Sequence, residues 1–152
     1  MRKKVIYRED GEPYLIRWYL FRCKRFQICL HHILLSDYDC LHDHPWKFIT
    51  LILKGGYYER IPRYDRLFKT ELGNTIDNIL NGRIIANEVV KKWYGPGSLL
   101  GRPAKWKHAL ELPEGKTAWS LLIMFKKERD WGFWTSKGWV YYEAYKPTQS
   151  CE

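Results

Sequence analysis

At 152 residues the chain has the length of one domain and can bury roughly 68–70% of the surface its unfolded form exposes. A formal net charge of +9 attracts anionic partners, but the basic residues are dispersed and no helix-turn-helix, zinc-finger or RNA-recognition motif accompanies them, so a solvated basic surface is expected before a nucleic-acid footprint. No run of ~20 apolar residues is present, which excludes a transmembrane helix, and the basic start Met1–Asp10 lacks the apolar core of a signal peptide, so a cytoplasmic protein is expected.

The elements read as strands. The termini, 1–4 and 147–152, are expected to fray. Tyr14 to Phe21 and Arg25 to Leu35 are predicted as two strands with a bend at Cys23-Lys24, and Leu41 to His44 as a third. Pro45 lacks a backbone donor and belongs at a strand end. Trp46 to Leu53 follows, and Gly55-Gly56 permits the tight reversal into Tyr57 to Ile61. The polar segment 62–82, irregular or with a short helix at Thr75 to Leu80, reads as an insertion on the surface or over a barrel mouth. Strands resume at Arg83 to Tyr94, and Gly95-Pro96-Gly97 punctuates them. His108 to Leu112 and Thr117 to Phe125 form a predicted hairpin. Phe133-Trp134 and Trp139 to Tyr145 complete the set. Many short strands with Gly/Pro turns, and an aromatic content of 16%, predict a single all-β domain, a sandwich or barrel.

Four cysteines, Cys23, Cys29, Cys40 and Cys151, show no Cys-x-x-Cys spacing, and reduced thiols are the expectation. His31 and His32 lie in an apolar strand pattern and, being adjacent, face opposite sides; both read as structural. His42-Asp43-His44 differs. Residues two apart on a strand point the same way, so His42 and His44 can offer two imidazoles to one point. A third, His108, arriving from another strand completes a facial set with open positions on a divalent metal. Asp43 faces away and reads as a turn or supporting group.

The spacing around these histidines resembles the two motifs of the cupin superfamily. His42-x-His44 is followed at the proper distance by Leu51-Ile52-Leu53-Lys54-Gly55-Gly56, and Gly97, Pro103 and His108 fall at their second-motif positions. Ser36 stands where the first motif opens with Gly, and Phe48 or Ile49 where it has the metal-binding Glu. Lys105 replaces a Gly and Leu112 the final Asn. The resemblance implies a double-stranded β-helix, the cupin jelly roll, with segment 62–82 inserted between the motifs. It implies one divalent metal on His42, His44 and His108, with Fe(II) favoured and Zn, Ni or Mn possible.

Two candidate catalytic residues accompany the histidines. Glu59, on the strand leaving the first motif, is a fourth ligand, a general base, or an exposed charge beside Arg60. Arg102, six residues before His108, either pairs with a substrate carboxylate or phosphate or is an ordinary surface arginine. Tyr57, Trp46 and Trp106 are pocket-wall or core residues. The resulting expectation is an Fe(II)-dependent oxygenase acting on a small anionic molecule. The alternatives are a metal-assisted isomerase or epimerase of a sugar or sugar nucleotide, and a non-catalytic jelly roll that captures a nucleotide or other anion. Abundant strands and aromatics also suit a homodimer formed by sheet packing.

Overall fold

Strand β10 (Ala118–Phe125, sequence AWSLLIMF) is apolar at nearly every position. It lies antiparallel to β3 (Phe26–Ile33) on one side and β5 (Phe48–Lys54) on the other. A strand paired along both edges has its backbone donors and acceptors satisfied, which sets it in the middle of a sheet. Outward from β3 come β2 (Pro13–Arg22) and β1 (Arg2–Tyr7), and outward from β5 comes β8 (Leu99–Arg102). The structure, a computed structural model, describes residues 1–64 and 84–151, and among these every regular element is a strand.

A second layer is built from two ribbons. In one, β6 (Tyr57–Tyr64) lies between β7 (Ile84–Tyr94) and β9 (Ala109–Glu111). In the other, β11 (Gly132–Thr135) lies between β12 (Gly138–Tyr141) and β4 (Leu41–His42). An antiparallel bridge between His42 and His108 joins the ribbons where β4 meets the residue before β9. Leu15, Ile33, Ile52, Leu100 and Ala118 of the first sheet pack against Tyr57 and Leu112 of the second layer, closing the apolar core of a jelly roll. A smaller cluster, Cys40, Phe133 and Tyr145, holds the C-terminal segment.

The turn after β5 needs glycine at both positions. Gly55 and Gly56 have φ of 76° and 143°, and a Cβ on Gly55 would stand 2.2 Å from the Thr117 carbonyl oxygen.

The structure corrects several expectations. Where residues 1–4 were expected to fray, Arg2–Tyr7 is a strand paired along β2. β8 was not apparent either, being four residues long with a glycine inside it. The third strand stops at His42 rather than His44, since the His44 N–H donates to Ala104 O at 3.0 Å instead of joining a ladder. Cys40 and Cys151 are not free thiols but a disulfide, which also ties down the tail expected to fray. A pairing across 111 residues leaves no local spacing to read. Pro62 to Tyr64 belongs to β6; the rest of the expected insertion, with its helical stretch, lies outside the described residues.

Candidate metal centre

The His42 N–H donates to His108 O at 2.8 Å and the His108 N–H to His42 O at 2.9 Å, so two of the three histidines are locked together through their backbones. Their rings stand 5.0 Å apart. The His44 ring is 5.0 Å from that of His42 and 4.9 Å from that of His108. His44 Nε2 and His108 Nε2 approach to 2.8 Å. One nitrogen from each of His42, His44 and His108 lies within 4.8 Å of the others. Phe48 packs edge-on against His44 at 4.6 Å and walls the cluster on the first-sheet side.

Glu59 sits behind His108 and not among the ligand nitrogens. Its Oε1 accepts from His108 Nδ1 at 2.7 Å, Trp106 Nε1 at 2.8 Å and Arg102 Nε at 3.0 Å, while Oε2 accepts from Arg102 Nη2 at 2.6 Å. Burial alone would raise the Glu59 pKa, but the bonds from His108 and Arg102 outweigh it and bring it to about 2. An ionised carboxylate only accepts, so His108 keeps a proton on Nδ1 and turns the Nε2 lone pair toward His44. This is the carboxylate–imidazole arrangement that orients metal-binding histidines. The structure thus places Glu59, expected as a fourth ligand or general base, outside the three-histidine group with both oxygens already engaged. Arg102, expected to pair with a substrate anion or to lie on the surface, is engaged as well. Its guanidinium is committed to Glu59, packs on the Trp106 ring at 4.6 Å and contacts Tyr94 Oη, so it supports the carboxylate rather than reaching for substrate.

The donor set fits a divalent cation. Burial lowers the His42 pKa to about 4 and takes that of His44 well below its ordinary value, so both rings are neutral at physiological pH and offer lone pairs. Three imidazoles suit iron, nickel, copper or zinc. Asp37, which the sequence did not single out, holds the other side of the centre. It lies 3.8 Å from His42 Nδ1, accepts from Leu110 N at 2.6 Å and is bonded by the Tyr14 hydroxyl. The only hint in sequence was its position five residues before His42.

Asp43 points away from its neighbouring histidines, as the alternation predicts. It is 1% exposed and accepts from Gly132 N, Trp134 Nε1 and Trp139 Nε1, with Arg129 paired at 2.8 Å. That carboxylate fastens the β11–β12 hairpin to β4. His31 accepts from Arg17 Nε at 2.8 Å, and His32 stacks on Trp119 at 4.1 Å on the opposite face; neither joins the ligand group. Tyr57 is in the core, Trp106 is taken up by Glu59, and Trp46 lines a cavity of about 660 Å³ that His42 also lines. The other walls include Tyr38, Trp131, Phe133 and Tyr142, so the cavity is strongly aromatic.

No family model and no curated protein matches the sequence. Solved structures do resemble the fold. A cupin-2 domain protein from Rhodospirillum rubrum superposes with a TM-score of 0.59 at 13% identity, over 90% of this chain and 77% of that one. Fe(II) HppE gives 0.55 at 13% identity over 82% of this chain, which spans 56% of HppE. The polyketide cyclase RemF from Streptomyces resistomycificus gives 0.51 at 14% identity, over 77% and 68% of the two chains. The fold is that of the cupins, and its three buried-to-half-buried histidines are a group able to hold a metal ion. No helix among the described residues is long and apolar enough to cross a membrane.

Proposed function

We propose that the protein is a mononuclear metal-dependent oxygenase that binds Fe(II) through His42, His44 and His108 and acts on a small anionic molecule. The observation that carries this reading is the all-imidazole group, with Glu59 placed behind His108 instead of beside it. Three neutral ligands from one side leave two or three positions for substrate and dioxygen. Bound iron supplies the redox capacity that dioxygen chemistry needs. The chain's own residues orient the ligands through Glu59 and Asp37, wall one side with Phe48, and admit substrate through the aromatic cavity that reaches His42. An Fe(II) enzyme, HppE, shares the fold.

The test is anaerobic reconstitution with Fe(II), metal analysis, and oxygen uptake against a panel of small carboxylates and phosphates. Stoichiometric iron with substrate-dependent oxygen consumption is the expected result. Conversion of sugar phosphates without oxygen uptake would select the isomerase reading instead. Ligand binding to metal-free protein with no product would select capture.

A further inference from the structure

We propose that Arg17, held by His31 and seconded by Lys4, receives the anionic group of the substrate inside the barrel. This rests on the metal-centre reading above and gives that centre the anion-recognising residue that Arg102 does not provide. Side chains alternate along β2, and the register places Leu15, Arg17 and Tyr19 opposite Ile33, His31 and Cys29. All three of those β3 partners are buried on the inner face, so Arg17 points into the barrel.

Three further observations converge on it. Arg17 Nε donates to His31 Nε2 at 2.8 Å, and burial, seconded by the Arg17 charge, keeps that imidazole unprotonated and accepting. The bond fixes the guanidinium plane. Among the described residues no carboxylate pairs with Arg17, whereas Glu59 and Asp43 each have an arginine of their own. Lys4 stands directly opposite Arg17 on β1 and lines the same cavity as His42. Like charges opposed across a strand pair repel, and an anion between them relieves that cost. A guanidinium on the inner face of the sheet presents paired N–H donors that match a carboxylate.

Benzoate is the probe, with benzyl alcohol as its uncharged control. Its affinity is measured twice: by calorimetry on metal-free protein, and by the visible spectrum of protein loaded with Co(II). Wild type is expected to bind benzoate and not benzyl alcohol. Arg17→Gln should weaken benzoate about 10- to 100-fold, and Arg17→Lys by less, with cobalt stoichiometry unchanged in both. Equal benzoate affinity in wild type and Arg17→Gln overturns the proposal. Wild type that takes up no cobalt overturns the metal centre alone, because calorimetry still reads Arg17.

Discussion

His42 and His108, 66 positions apart in the chain, exchange both backbone hydrogen bonds of an antiparallel bridge. The same contact that joins the two ribbons of the second layer therefore brings two imidazoles within 5.0 Å of each other. Ligand spacing is set by main-chain geometry, which side-chain substitutions leave in place. His42→Ala and His108→Ala should each abolish stoichiometric metal binding, measured by mass spectrometry of purified protein, while far-ultraviolet circular dichroism stays that of wild type.

Glu59 acts on the metal through His108. Glu59→Gln keeps an acceptor for His108 Nδ1 but removes the charge that three donors share. Metal affinity, read by chelator competition, should fall about 10- to 100-fold without loss of the fold. Glu59→Ala should fall further. It leaves the Arg102 guanidinium, whose side chain is 13% exposed, without its partner.

Acid should unfold the metal-free protein in two overlapping stages. His42 is neutral when folded, with a pKa of about 4, but titrates near 6.5 when unfolded, so the unfolded chain binds more protons and stability falls as pH drops from 6.5 toward 4. For His42 alone this loss is about 3 kcal/mol. Glu59, at about 2 folded, contributes stability above its unfolded pKa that is lost as pH drops from about 4.5 toward 2. Urea midpoints measured from pH 7.5 to 3 should decline throughout. A flat profile between 6.5 and 4.5 would contradict buried neutral imidazoles.

Asp43 clamps the β11–β12 hairpin, and Gly132 shows how tightly: a Cβ there would stand 2.1 Å from the Val140 carbonyl oxygen. Asp43→Ala strips the acceptor from one backbone N–H and two indoles, and the counter-charge from Arg129, at once. A loss of about 3 kcal/mol in urea denaturation is expected, since several of these donors are left buried without partners.

The Cys40–Cys151 bridge closes a loop of 111 residues beginning two positions before His42. Chain-entropy reasoning gives such a loop about 4–5 kcal/mol. Reduction, or Cys151→Ser, should lower the thermal midpoint markedly. Free-thiol titration of the native protein should find two thiols, Cys23 and Cys29, with the exposed Cys23 reacting first.

The sequence by itself determined the strand content, the Gly55-Gly56 reversal and the three histidines. Each of these is a local signal: alternation at period two, a backbone conformation that glycine adopts, and a His-x-His pair at a familiar distance from a third. It also determined that Asp43 faces away from the histidines beside it, because neighbours on a strand must. What only the tertiary structure decided were the partners. Glu59 was read as a fourth ligand, a general base or an exposed charge and Arg102 as a substrate anchor or a surface arginine, because sequence shows that two charged residues exist and not that they neutralise each other across 43 positions. Arg17 and Asp37 looked ordinary for the same reason: facing inward is a matter of register, and a shift of one residue reverses it. Cys40 and Cys151 followed suit, since distance in space between distant residues is set only when two sheets close on a common core.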